Sequence, residues 1–489
     1  MRSELFPAVR YELASTSRLR RRELRCLSLF SIALLATLLL GCASAHQPPL
    51  LAIQNVTIID PDGEETAPAT LLIRGGVIER YGPPAGFVVP ARARIVEASG
   101  LFMIPGLWDM HVHAHRGNRQ TFHVPLYLAH GVTTVREAGT HLGSALAARQ
   151  QPEGDLLPRV IWGSPPIDGA PPVLTFGLAA ETPEAGRALV RRLAAERFDF
   201  LKVYDLLSPE THAAVLAEAH RLGIPVDGHV PLRSSPAEAL ERGQRTIEHL
   251  TLVLESCIPG TLDWIHETPG RDSMALLTDG RLAATLDRYD EEICKALFAR
   301  FVAAGTWHIP TLVQMRGAFF IDDPTVTAHP GHAMVPEAVR DEWEEYRRNA
   351  APIEMAAGRA VFDRQLQLVG AMHRAGVRIL AGTDASTEPH VVPGWSLHDE
   401  LALFVQAGLT PLEALRTATT DAARHSRPGE PAGIRPGARA DFVLLRADPR
   451  IEIANTRTIE HVILRGRLIT REELDQLVAE AQGGTHSRQ

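Results

Sequence analysis

Lysine is almost missing from this chain. Of its 50 basic residues only Lys202 and Lys295 are lysine, and the other 48 are arginine. Where positive charge alone is needed, arginine is the default here, so a lysine inside an apolar run needs its own explanation. Cysteine is scarce too. Cys26, Cys42, Cys257 and Cys294 are too few and too scattered for a disulfide or Cys-rich zinc framework. Surplus positive charge is also lacking: 58 acidic residues stand against the 50 basic ones, giving −8, which argues against a general nucleic-acid binder. With 45% hydrophobic and 22% charged residues, disorder, collagen and coiled coil are excluded as descriptions of the whole. A length of 489 residues suggests two to three domains. Long apolar runs are absent apart from one near the N-terminus.

That run, Leu27 to Leu40, follows Arg18, Arg20, Arg21, Arg22 and Arg25. It has the length of a signal-peptide core and is too short for a comfortable membrane span. It ends in Leu39-Leu40-Gly41-Cys42, which resembles the bacterial lipoprotein box. The expectation is a signal peptide over residues 1–41 and lipidation of Cys42. The protein would then be exported and held at the cell envelope, periplasm-facing or on the outer surface, through a lipid that does not span the membrane. The alternative is a plain secretory signal cleaved near Ala43-Ser44-Ala45.

Residues 50–104 read as short strands and turns, with a Gly75-Gly76 hairpin. The same texture returns in Ala440–Leu445 and His461–Ile469. Residues 50–104 and 427–470 are therefore expected to form one small β-sandwich built from both termini. Between 105 and 426, short apolar runs alternate with amphipathic helical patterns, which argues for βα units. The candidate strands are Leu107–His113, Val132–Arg136, Arg159–Gly163, Phe200–Tyr204, Ile224–His229, Thr246–Leu250, Trp307–Leu312 and Arg378–Thr383. Eight such units fit an α/β fold with a distorted (β/α)8 barrel. Helical insertions near 255–300 and 314–365 are candidates for a lid. An open doubly wound sheet is the alternative, but no Gly-rich phosphate loop follows the first strand.

In a barrel of this kind the chemistry sits at the C-terminal strand ends. Strand one ends in His111-Val112-His113, strand five in Gly228-His229, strand six in Glu248-His249 and strand eight in Gly382-Thr383-Asp384. Period two puts His111 and His113 on one face, so both can hold one ion. The nitrogen and oxygen donors suit zinc or another divalent metal. A single such histidine is most often an ordinary polar residue; the argument rests on several falling at separate strand ends. Lys202 lies in the apolar strand four. Arginine cannot lose its proton, whereas a desolvated lysine amine can. A neutral lysine can take up carbon dioxide and become a carboxylate-like carbamate. A Schiff-base lysine and a salt-bridged lysine are the alternatives.

Taken together, Pro105–His113, Gly131–Arg136, the Lys202 strand, His229, Glu248-His249, Gly382–Asp384 and Gly437–Val443 resemble the metal-dependent amidohydrolases. The resemblance runs from Ile53 to Ile469 and is nearest the Xaa-Pro dipeptidase-like and imidazolonepropionase-related branch. It implies two divalent metal ions, zinc being the expected one. His111, His113 and Asp384 would hold the first and His229 and His249 the second, with carbamylated Lys202 and a hydroxide bridging both. Asp384 would move the proton from the attacking water to the leaving nitrogen. The substrate implied is a small molecule, such as a dipeptide or N-acyl amino acid. Candidate substrate contacts are Tyr204, Arg136 and His308. His115, His123, His130, His329, His332 and His390 are expected on the surface or in the lid. Rival readings are a cyclic-amide hydrolase, lactonase or deaminase on the same scaffold, or a catalytically silent metal-binding surface lipoprotein. The sequence carries no sign of oligomeric state.

Overall fold

A computed structural model of the chain describes residues 48–63, 66–116, 120–150, 156–268, 272–385 and 389–483. Cys42 and the signal-peptide expectation lie outside the described residues. No helix among the described residues is long and apolar enough to cross a membrane.

Strands β1 (Leu50–Ile58), β2 (Thr66–Arg74), β3 (Val77–Gly82), β4 (Arg94–Glu97) and β5 (Phe102–Pro105) come from the first part of the chain. They share one sheet with β16 (Phe442–Leu445), β17 (Ile459–Leu464) and β18 (Arg467–Ile469), in the order β18-β17-β16-β5-β1-β2-β3 with β4 beside β1. The seam between the two chain segments is the antiparallel pair β5–β16, with Val443 opposite Ile104 and Leu444 opposite Met103. Alternation along these two strands serves two cores at once. Met103, Phe442 and Leu444 belong to the sheet's own core with Ile53, Leu71 and Ile73. Ile104, Val443 and Leu445 face the opposite way, into the main core with Leu107 and Val132. A strand with period two and apolar residues on both faces is buried on both sides, and here that joins the sheet to the body of the protein.

The eight expected barrel strands are all present: β6 (Leu107–Val112), β7 (Val132–Glu137), β8 (Arg159–Trp162), β11 (Leu201–Val203), β12 (Val226–Gly228), β13 (Thr246–Glu248), β14 (Trp307–Ile309) and β15 (Arg378–Ile379). Two further short strands, β9 (Ile167–Asp168) and β10 (Leu178–Ala179), extend the loop after β8. All the barrel pairings are parallel, in three ladders. Isolated contacts join them. Gly163 bridges Phe200, the Arg245 N–H donates to Val226 O at 2.8 Å, and Val112 bridges Ala385 while the Met110 N–H donates to Ala381 O at 2.9 Å. The last pair brings strand eight back to strand one, and the fold is a TIM-like barrel with a sheet domain.

The long stretches on either side of β14 are helical. Thr261–His266, Ser273–Thr278 and Glu291–Ala304 precede it; Leu312–Phe319, Glu337–Asn349 and Pro352–Arg374 follow. One expectation is overturned here. Cys257 and Cys294 form a disulfide, with Cα atoms 4.9 Å apart across a separation of 37 residues. The helical excursion between them returns to its starting point, a closure that cysteine spacing does not encode.

A candidate metal centre at the barrel mouth

Strand β6 ends one residue before His113. The two imidazoles of His111-Val112-His113 therefore leave the same face, with ring centroids 5.3 Å apart. Asp384 meets both. Its Oδ1 lies 3.4 Å from His111 Nε2 and 3.2 Å from His113 Nε2. Asp384 reaches that point from a left-handed backbone at φ +58, a conformation that costs a non-glycine residue energy unless its surroundings impose it. The imposing group is Asp109 of β6. It accepts from the Thr383 N–H at 3.0 Å and from the Thr383 hydroxyl at 2.6 Å. Asp109 is fully buried, and burial pushes its carboxyl up to about 7. Glycine at 382 is obligatory for the same approach, since a Cβ there would stand 2.7 Å from Ile309 Cγ2 and 2.9 Å from His111 Cβ.

His229 follows Gly228, which has φ +137 and would place a Cβ 2.2 Å from Val203 O. Only glycine lets strand five pass strand four at that level. The His229 Nδ1 lies 2.6 Å from Asp205 Oδ1, and its Nε2 is buried with no partner. His249 Nδ1 lies 2.6 Å from Thr311 Oγ1, and its ring centroid is 4.5 Å from His111 and 4.8 Å from His229. His113 Nδ1 lies 2.7 Å from Gly139 O. Three of the four histidines thus spend one ring nitrogen on an outer partner and leave the other for the centre. That is the arrangement in which a metal-ligating imidazole has its tautomer and orientation fixed. Both ring nitrogens of His111 are buried without a hydrogen-bond partner, and burial lowers its pKa to about 4. Buried imidazoles set among carboxylates, each with a ring nitrogen left for the centre, are a donor set that fits a divalent cation. Among the described residues, two groups satisfy the spacing for one ion each: His111, His249 and Asp384, and His229, Glu248 and His249, in each case with ligand atoms within 4.8 Å of one another. His249 is common to both.

Lys202 is buried in strand β11 at 1% exposure, and its Nζ pairs with Glu248 Oε2. The other oxygen of Glu248 accepts from Arg136 at 2.9 Å. Glu248 is therefore part of the centre, a role not assigned to it from the sequence. Asp205, Thr311 and Asp109 were likewise unassigned. The available signal was a carboxylate inside the apolar Thr246-Ile247-Glu248 strand, where only a charged or metal partner makes burial tolerable. Tyr204 lies in the site, its ring 4.1 Å from that of His229.

Two expected substrate contacts are corrected. Arg136 is fully buried inside the barrel, donating to Met110 O, Glu248 and Asp227. It ties strands β6, β7, β12 and β13 together and is spent on that role. His308 is paired in register with Ile247, so it faces away from inward-pointing Glu248 and packs its ring 4.4 Å from Phe301 in the helix layer. His115, His123 and His130 are also buried rather than superficial; His115 Nδ1 lies 3.0 Å from Glu137 Oε2. His329, His332 and His390 form a cluster beside Trp343 of helix Glu337–Asn349, with His332 and His390 stacked at 4.8 Å.

Comparison with known proteins agrees with this geometry. The model of the amidohydrolase family matches residues 102–469, well over half of the chain. The bottromycin amidohydrolase structure superposes with a TM-score of 0.68 at 25% identity, covering 91% of this chain and 94% of that one. A Xaa-Pro dipeptidase with bound methionine in its active site has the same fold, with a TM-score of 0.62 at 18% identity over 86% of this chain and all of that one. Adenine deaminase 3 of Rhizobium meliloti (strain 1021) is 28% identical over 163 residues, 32% of this chain, and the match spans only 27% of the deaminase. On the extent of the family match, the chain belongs to the amidohydrolase family of hydrolases.

Proposed function

We propose that this protein hydrolyses the amide C–N bond of small substrates, dipeptides or N-acyl amino acids, with two divalent cations held at the barrel mouth. One observation carries the reading: His111, His113, Lys202, His229, His249 and Asp384, from five different strand ends, converge, and the ring nitrogens of His111 and Nε2 of His229 are buried without a partner. When bound, the cations would polarise the scissile carbonyl and make a hydroxide available at neutral pH. The chain's residues supply the rest. Asp384 takes the proton of the attacking water on its carboxylate and passes it to the leaving nitrogen, general acid–base work worth about 10²–10⁴-fold. The Tyr204 ring, beside His229, forms a wall of the mouth. In this reading Lys202 would carry carbon dioxide as a carbamate and serve as an anionic ligand for the cations, in place of its ion pair with Glu248.

A second reading has a specific observation in its favour. The Lys202–Glu248 ion pair is compatible with an ammonium that stays protonated, leaving Glu248 as the shared carboxylate. The relative named for adenine deamination keeps that reaction as a rival, beside cyclic-amide hydrolysis on the same scaffold. For location, we read Leu39–Cys42 as a lipidation site on an exported protein. The Cys257–Cys294 disulfide supports export, because such bonds persist in oxidising compartments.

The test is metal analysis of purified protein together with turnover of Xaa-Pro and hydrophobic dipeptides, N-acyl amino acids, hydantoins and adenine. About two metals per chain, with activity lost on chelation and restored by zinc, is the expected result. Full activity in metal-free protein refutes the reading, and turnover of adenine or hydantoin alone replaces the substrate class.

A further inference from the structure

His249 belongs to both ligand groups, so the orientation of its ring bears on the whole centre. That orientation is set from outside. The Thr311 hydroxyl has one proton and donates it to Pro310 O at 2.8 Å. Its oxygen is then left to accept, and the group 2.6 Å away is His249 Nδ1. With the hydroxyl proton on Pro310 O, Nδ1 carries the ring proton, which leaves the lone pair on Nε2, the nitrogen a metal needs.

This use of Thr311 has a structural cost. Thr311 is the N-cap of helix Leu312–Phe319, and a threonine there ordinarily turns its hydroxyl onto the first free N–H groups of the helix. Here it makes no such bond, and it sits at φ +50, where a β-branched residue is strained. The orphan N–H groups are satisfied by another helix. Glu400, fully buried in helix Trp395–Ala407, accepts from the Leu312 N–H at 3.0 Å with Oε1 and from the Val313 N–H at 2.7 Å with Oε2. We propose that Glu400 is a positioning residue for the metal centre: by capping this helix in place of Thr311, it frees the Thr311 hydroxyl to fix the tautomer and direction of His249. The proposal rests on the metal-centre reading above. It assigns a catalytic consequence to a carboxylate that touches neither ligand nor substrate.

The experiment is a chelator competition that measures zinc affinity in the full chain, for wild type, Glu400→Ala, Glu400→Gln, Thr311→Ala and the double Glu400→Ala/Thr311→Ala, with folding checked by circular dichroism. Changes in groups that orient a ligand weaken metal binding by about 10–100-fold. Glu400→Ala is expected to weaken zinc binding by about tenfold, at the low end of that range because it acts through Thr311. Thr311→Ala is expected to do the same, and the double variant to lose little more than either alone, the mark of two residues acting through one contact. Glu400→Gln keeps one accepting oxygen and turns an amide N–H toward a backbone N–H, so a loss of about threefold or more is expected. A folded Glu400→Ala protein with zinc affinity within twofold of wild type overturns the proposal, and so do fully multiplicative losses in the double variant. If Glu400→Ala does not fold, wild-type affinity in Glu400→Gln overturns it alone. A wild-type protein that binds no zinc or other divalent metal refutes the metal-centre reading instead.

Discussion

Asp205 holds His229 by its Nδ1 at 2.6 Å and is itself held by the Ser273 N–H at 2.7 Å, so the helical insertion after strand six reaches down to a candidate ligand of strand five. The carboxylate fixes the His229 tautomer in the manner of outer partners in metal sites. Asp205→Asn offers an amide N–H where an acceptor is needed and favours the wrong tautomer. Its expected cost is about 10–100-fold in metal affinity with little change in melting temperature. Metal titration of the folded variant checks this, and unaltered affinity would free His229 from that role.

Lys202 separates the two versions of the centre. Under the carbamate reading, Lys202→Arg is as inactive as Lys202→Ala, because a guanidinium cannot take up carbon dioxide. Added acetate or propionate should restore part of the activity of Lys202→Ala. Under the ion-pair reading arginine is the milder change, since it keeps a cation beside Glu248. Kinetics of both variants, with carbon-13 NMR in labelled bicarbonate, decide between them.

Asp384→Asn is expected to keep the fold and lose about 10²–10⁴-fold in turnover, the usual worth of a proton-transfer group. The bond that sets its backbone is made by Thr383 to Asp109, not by its own side chain. A melting temperature near wild type should therefore accompany the loss. Near-normal turnover would move the base elsewhere.

Arg136 predicts a stability effect without a substrate effect. Arg136→Met leaves the buried carboxylates of Asp227 and Glu248 short of a partner. Breaking a buried pair in this way typically costs about 3–5 kcal/mol. Denaturant unfolding should show it. A variant of unchanged stability but raised KM would return Arg136 to the substrate.

Glu255, in the short helix Val253–Ser256, is buried with its Oε2 unpartnered, and burial raises its carboxyl to about 7. A group raised from the ordinary value near 4.3 holds its proton longer when folded, so stability falls as pH climbs between those values and levels off above about 7. Glu255→Gln removes the ionisation. It should melt higher than wild type at pH 8 and close to wild type at pH 5, with a gain of up to about 3 kcal/mol at the higher pH. Equal melting temperatures at both pH values would mean that the carboxyl finds a partner or water.

What the sequence made legible follows from periodicity. His111-Val112-His113 falls on one face because strands alternate, and the eight barrel strands were readable as apolar runs. What it hid depends on register between strands. Arg136 and His308 both lie in barrel strands, but whether a side chain enters the barrel or the helix layer depends on its partners across the ladder. His308 faces outward because it lies opposite Ile247. Glu248 and Asp205 stood in plain view next to expected ligands, yet their roles come from contacts with Arg136 and Ser273 that lie 112 and 68 residues away. The Cys257–Cys294 pair was hidden for the same reason.

The β5–β16 seam sets a timetable for synthesis. Phe102–Pro105 has no antiparallel partner until Phe442–Leu445 has emerged, about 340 residues later. Until then the first strands carry an open, apolar edge, the kind of surface that recruits foreign strands. Contacts this distant in sequence also slow folding. A nascent chain arrested within the barrel should be a client of holding chaperones, and premature stop codons before Phe442 should yield aggregate rather than a smaller working enzyme.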